Sequence, residues 1–204
     1  MKNLTLKEFA DVVASNEPVP GGGSVAAVCG TLSAALSEMV ARLTMGKKKY
    51  AEHEEEMSEI KEKAFILRNK LVDFIEKDSI AYNKVMEAYK LPKETDEEKD
   101  VRKKAIEEGS KLAAAVPLEV AQVSYEILPL AEAVVIRGNS NAVTDGLVAA
   151  MLARTAVLSA VLNVRINLDS IGDEEFVREY KKKADELENN TLAYEKKILE
   201  CSPF

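Results

Sequence analysis

Two stretches, residues 25–45 and 142–168, are apolar on nearly every helical face, and both are built largely from small side chains. In the first, Ala26, Ala27, Gly30, Ser33, Ala34, Ala35 and Ser37 leave almost no bulk. The second is Ala, Val and Leu apart from Asp145, Arg154 and a polar Asn163-to-Asn167 end. A helix that is apolar all round must be enclosed, and small residues let its neighbours approach closely. The expectation is a pair of central helices around which the rest of the chain packs. Each is entered through a turn-forming loop: Pro18-Val19-Pro20-Gly21-Gly22-Gly23-Ser24 before the first, Arg137-Gly138-Asn139-Ser140-Asn141 before the second. In the first loop two prolines fix the backbone ahead of three residues free to take positive φ, and Ser24 stands where a helix needs its N-cap. That places the helix over 24–45, with Gly46 just past its end.

The remaining segments supply the enclosing layer. Thr5-Leu6-Lys7-Glu8 matches a capping box for a short helix ending near Asn16. Over 51–89, Met57, Ile60, Ala64, Leu67, Leu71, Phe74, Ile75, Ile80 and Val85 recur at helical spacing among Glu and Lys, a long helix with one wet face. Leu91-Pro92 breaks it, and Thr95 with Glu98 begins another helix reaching Val116. Pro117 predicts a kink or restart there, and Pro129 repeats the interruption. Ile171-Gly172-Asp173 introduces a last amphipathic helix over 174–199. No window sustains strand alternation. The fold class expected is all-α: a helical bundle with two small-residue-rich central helices and longer charged amphipathic helices packed outside. A chain of 204 residues with no sharp shift in composition reads as one domain, 1–204.

A net charge of -7 argues against nucleic acid as a partner, so any polyanionic ligand must be met by a local cluster of cations. Cys29 and Cys201 have no CxxC spacing, and the single histidine, His53, lies in a glutamate-rich stretch on a wet face, so neither a metal site nor a disulfide framework is expected. The first residues lack the apolar core of a signal peptide, and Glu38 and Arg42 interrupt the most membrane-like window. A cytoplasmic protein with no membrane partner is the expectation.

The candidate functional residues cluster at the two loops. The Gly21, Gly22, Gly23 and Ser24 backbone leading into a helix presents free N–H groups and the positive end of a dipole, suited to a carboxylate, a phosphate or a developing oxyanion, or else to a tight interhelical turn. Lys47, Lys48 and Lys49 either recruit an anionic ligand tail or complement a helix C-terminus. Asp145, in the first turn of an apolar helix, is capped, paired or facing a cavity. Asp78, in Glu76-Lys77-Asp78-Ser79, is the second candidate acid/base carboxylate. Asn139 and Asn141 either make the turn or hydrogen-bond a flat heterocycle.

Taken in order, the Pro18-to-Ser24 loop, Leu43-Thr44-Met45-Gly46-Lys47-Lys48-Lys49-Tyr50, Leu91-Pro92-Lys93-Glu94-Thr95, Val116-Pro117-Leu118, Gly138-Asn139 with Asp145, and Asn163-Val164-Arg165-Ile166-Asn167-Leu168 resemble the formiminotransferase-cyclodeaminase C-terminal family. The resemblance covers most of the chain and implies a free-standing domain without the transferase half. It implies an all-helical homodimer with a tetrahydrofolate substrate bound at the glycine loop, and no cofactor beyond that substrate. The implied activity is formiminotetrahydrofolate cyclodeaminase, an ammonia-lyase, with methenyltetrahydrofolate cyclohydrolase, a cyclic amidine hydrolase, as the alternative and non-catalytic folate binding as a second alternative. On this reading Asp78 and Asp145 are the catalytic or pterin-binding carboxylates. Gly21, Gly22, Gly23, Ser24, Asn139 and Asn141 position the substrate, and Lys47 and Lys48 meet its glutamate tail.

Overall fold

The structure, a computed structural model, describes all 204 residues, with seven α-helices and no strand. They are α1 (Leu6–Val13), α2 (Gly22–Thr44), α3 (Glu54–Tyr89), α4 (Asp96–Tyr125), α5 (Leu128–Arg137), α6 (Val143–Leu168) and α7 (Glu174–Leu199). Short 3₁₀ turns precede α3 (Lys48–His53) and α6 (Ser140–Ala142). Helix α2 packs most extensively against α3 and α6, while α4 lies against both α3 and α6 and α7 covers α6. Ser33 of α2 donates its hydroxyl to the Ala149 carbonyl of α6 (2.7 Å), a bond that only small residues at the crossing allow. The two small-residue helices are therefore the centre of an all-α bundle, with the charged helices outside, as the hydrophobic pattern predicts.

Local signals account for most boundaries. Both capping boxes form, Thr5 with Glu8 and Thr95 with Glu98. Gly46 follows α2 with φ of 72°, the left-handed conformation that ends a helix and favours glycine. Four expectations are corrected. Helix α1 ends at Val13, earlier than Asn16. Ser24 is not the N-cap of α2: Gly21 is, with no side-chain cap, and Ser24 sits inside the first turn, fully buried. None of the loop glycines takes positive φ, because two of the three are already helical.

The fourth correction concerns Pro117, which neither ends nor restarts its helix: α4 runs through it from Asp96 to Tyr125. Proline at 117 cannot donate to the carbonyl of Ala113, four residues earlier. The side-chain amide of Asn167, from α6, donates to that carbonyl instead (2.7 Å). A tertiary hydrogen bond thus replaces the missing helical one, and the helix continues. Pro129 behaves as expected, standing in the first turn of α5 where no intrahelical N–H is needed.

The central helices are not fully enclosed. Leu32 and Leu43 of α2 and Val148, Met151, Leu162 and Ile166 of α6 are exposed, the last two by 63% and 67%. Their spacing places them along one stripe of each helix, and α2 and α6 are neighbours. Glu38, the charge that interrupts α2, is buried between Arg42 (2.6 Å) and Arg68 (3.0 Å). Burial opposes its ionisation, but hydrogen bonds from the two guanidinium groups outweigh it and hold the carboxyl below the ordinary range.

Candidate active site

Asp78 meets the glycine loop at the N-terminus of α2. Gly21, Gly22 and Gly23 line one wall of a cleft of about 300 Å³, with Asp78 and Tyr82 from α3, Ala113 from α4, and Asn163 and Asn167 from α6. Gly23 is required for this approach: a β-carbon there would fall on Asp78 Oδ1 and lie 2.6 Å from its Cγ. The approach brings the carboxylate to the first turn of α2, where backbone N–H groups lack helical partners and the helix dipole is positive.

Ser24 holds the carboxylate in place. Its Oγ lies 3.0 Å from Asp78 Oδ2 and 3.0 Å from the backbone carbonyl of Ile75. A hydroxyl has one proton and accepts with its lone pairs. When Asp78 is ionised, Ser24 donates to it. Once Asp78 is protonated, Ser24 turns to Ile75 and accepts from the acid. Neither state leaves a buried polar atom unpaired, so the site tolerates a proton arriving and leaving. Burial pushes the Asp78 carboxyl above its ordinary range, and hydrogen bonds from Ser24 only partly oppose that. A carboxylate with its pKa raised towards the working pH is suited to general acid–base chemistry.

Two asparagines that sequence reasoning did not single out complete the cleft. The Asn167 amide nitrogen is occupied twice, by the carbonyls of Ala113 (2.7 Å) and Asn163 (2.8 Å), which leaves Oδ1 unpaired. Asn163 donates to Ser159 O (2.8 Å), and its amide lies against Gly22. Their signal in the sequence is the Asn163/Asn167 spacing of four, one helical face, at the end of an otherwise apolar helix. Tyr82 follows Asp78 at the same spacing on α3.

The structure separates the other candidates from this cleft. Lys47 and Lys48 are exposed beyond the C-terminus of α2, about 33 Å from Gly22 by helical rise over the 22 residues to Thr44. Asn139 is buried and its polar groups are spent: its backbone N–H donates to Thr44 Oγ1 (2.8 Å), its side chain donates to Leu43 O (3.2 Å) and accepts from Asn141 N (3.1 Å). It pins the loop to the end of α2. Asn141 is exposed, and Asp145, half-buried in the first turn of α6, makes no hydrogen bond or ion pair. At this second cluster Ser140 bonds the Tyr50 phenol through its hydroxyl (3.1 Å) and its N–H (3.0 Å). With Lys49 beside it, that brings the phenol down to about 8.

A carboxylate whose pKa is raised by burial, held at a helix N-terminus in a cleft with amide donors and acceptors, is an arrangement suited to acid–base chemistry in a helical domain. Residues 5–186 match the Formiminotransferase-cyclodeaminase family model, and the chain belongs to that family. A methenyltetrahydrofolate cyclohydrolase from Methylorubrum extorquens is 42% identical over 97% of this chain and 95% of its own length. The mouse formimidoyltransferase-cyclodeaminase is 35% identical over 85% of this chain, which corresponds to 32% of that longer protein. A crystal structure of formiminotetrahydrofolate cyclodeaminase from Thermotoga maritima superimposes with a TM-score of 0.88 at 36% identity, covering 98% of this chain and 96% of that one. These relatives are named for reactions at C–N bonds of tetrahydrofolate one-carbon units.

Proposed function

We propose that the chain acts on the one-carbon unit between N5 and N10 of tetrahydrofolate, with Asp78 as the proton carrier. The observation that supports this most is the Asp78–Ser24 pair, which accommodates both protonation states of one carboxylate at the same place. Both reactions named among the relatives need such a group. In hydrolysis, water adds to the methenyl carbon as Asp78 takes a proton from it. The C–N5 bond then breaks, N5 takes the proton from Asp78, and the hydroxyl proton leaves to solvent as 10-formyltetrahydrofolate forms. In cyclodeamination, N10 adds to the protonated formimino carbon and Asp78 takes the N10 proton. Asp78 then returns it to the departing nitrogen, and ammonia leaves the methenyl bridge behind. The Asn163 and Asn167 amides and the Gly21–Gly23 backbone orient the substrate.

The end-to-end match at 42% identity favours methenyltetrahydrofolate cyclohydrolase. Cyclodeamination is the second reading, favoured by the equally complete match to the Thermotoga maritima structure. Methenyl- and formimino-tetrahydrofolate supplied separately to the purified protein distinguish them. Hydrolysis above the spontaneous rate is expected with the first; ammonia release from the second would reverse the order. Saturable folate binding with turnover of neither would instead identify a non-catalytic folate-binding protein. The protein works on this reading as a soluble cytoplasmic homodimer needing no cofactor beyond its substrate. The apolar face of α2 and α6 supports the pairing.

A further inference from the structure

Pro117 does not line the Asp78 cleft, yet it sets the orientation of a polar group that does. Helix α4 runs through Pro117, and because proline has no N–H, the carbonyl of Ala113 loses its helical donor. The Asn167 side chain crosses from α6 to that carbonyl (2.7 Å) and gives its second amide hydrogen to the Asn163 carbonyl (2.8 Å). A side-chain amide has two N–H donors and one oxygen. With both donors held, the group cannot turn over, since exchanging nitrogen for oxygen would set Oδ1 against two carbonyl oxygens at the same short distances. Oδ1 is therefore fixed as an acceptor. It has no hydrogen-bond partner in the protein, it remains accessible, and Asn167 lines the same cleft as Asp78.

Asn163, one turn earlier, shows what the tie between helices adds. Its amide donates only to Ser159 O of its own helix (2.8 Å), and no hydrogen bond to another helix fixes it. Of the two asparagines only Asn167 is tied to α4, and the tie exists because residue 117 is proline. With alanine there, the backbone N–H of α4 itself would return to the Ala113 carbonyl. The cleft thus offers two acceptors of different kinds: Asp78, whose charge depends on its proton, and Asn167 Oδ1, neutral and always accepting. A fixed acceptor favours a ligand with an N–H at that place and leaves a ligand carbonyl there unpaired.

We propose that Pro117 is a positioning residue: by freeing the Ala113 carbonyl it locks Asn167 so that Oδ1 accepts a hydrogen bond from an N–H of the bound substrate's ring system. The proposal rests on the folate reading above. On that reading the donor is one of the ring or amino N–H groups of the reduced pterin that lie away from N5 and N10. Those groups keep their hydrogens throughout either reaction, so the contact is as strong in the ground state as in the transition state. It acts on KM rather than on kcat.

Kinetics of wild type, Pro117→Ala, Asn167→Ala and the double variant, on whichever folate is turned over, test this. KM is expected to rise about three- to tenfold in each single variant, the worth of one hydrogen bond, with kcat changed less. The double variant should be no worse than Asn167→Ala, because Pro117 acts only through the asparagine. Removing proline from a helix interior favours the helix, so Pro117→Ala should melt no lower than wild type. Weaker binding in an equally stable protein is not what a merely structural proline gives. A wild-type KM in Pro117→Ala, or losses that multiply in the double variant, overturn the proposal. Hydrogen exchange of the Asn167 side-chain amide, followed by nuclear magnetic resonance, tests the lock without turnover. Exchange should be slow in wild type and roughly tenfold faster in Pro117→Ala, and equal rates overturn the lock. Titration with 5-formyltetrahydrofolate, which has the same ring but neither a methenyl bridge nor a formimino group, tests the contact. Affinity lowered alike in both single variants supports it. No binding by wild type overturns the folate reading and the contact with it, while the exchange rates would still establish the lock.

Discussion

On the proposed reading Asp78 is the residue on which activity turns, and its chemistry follows from what surrounds it. The groups facing it are Ser24 and the glycine backbone from α2, Tyr82 from its own helix, Ala113 from α4, and Asn163, Ile166 and Asn167 from α6. Tyr82 is the only other titratable side chain among them. As a base Asp78 must be ionised, so activity is expected to rise with pH through its raised pKa. Ser24→Ala removes a donor to the ionised form, which raises that pKa further, so the acid limb of the kcat/KM profile moves to higher pH. A merely structural serine would leave the limb where it is. Asp78→Asn should lower kcat by about 10²–10⁴-fold, the usual range for a positioned general acid–base group. Its effect on stability has the opposite sense. The folded carboxyl ionises less readily than the unfolded one, so Asp78 costs stability as pH rises above its unfolded pKa, and this penalty is fully present once pH exceeds the folded value. At neutral pH and above, the amide variant is expected to melt no lower than wild type, a pairing of lost activity with kept stability that a destabilised core would not give.

Among the elements, α4 connects a sequence anomaly to the site. Pro117 frees the carbonyl of Ala113, and Asn167 from α6 takes it, which fixes the asparagine at the cleft wall. Asn167→Ala leaves that carbonyl without its donor and is expected to cost about 1–3 kcal/mol in denaturant unfolding. In a Pro117→Ala background the restored backbone N–H satisfies the carbonyl within the helix, so the same Asn167→Ala change should cost markedly less. Such non-additivity in a double-mutant cycle identifies the coupling directly, and purely additive losses would exclude it.

Across the whole molecule, the exposed apolar residues of α2 and α6 bear on the proposed pairing. Two helices this apolar satisfy the length and hydropathy of a membrane span, yet about half of each is buried inside the bundle, against charged partners. The exposed remainder is the stripe through Leu32, Met151 and Leu162. A second copy placed there by a two-fold axis would be a self-complementary, largely apolar interface. Light scattering should report a dimer for the wild-type chain and a monomer for Leu32→Glu/Met151→Glu, with retained helical circular dichroism. A wild-type monomer would remove the pairing.

The division between sequence and structure follows from the range of the forces involved. Hydrophobic periodicity, capping boxes and the small-residue helices are local or nearly so, and they determined the all-α class, the central pair and most boundaries. Pro117 misled because its compensation comes from Asn167, distant in sequence. The site was half legible. The glycine loop and Asp78 could be named, but their meeting, and the close approach that makes Gly23 obligatory, depend on how α2 and α3 cross. Lys47 and Lys48 follow the C-terminal end of α2, and Asn139 is hydrogen-bonded to that same end, so a helix of 23 residues keeps this group apart from the glycine loop at its start. Sequence by itself determined which helices form and which side chains could carry charge or a proton; only tertiary packing decided which of them share a cleft, because that depends on contacts between helices with no trace in local pattern.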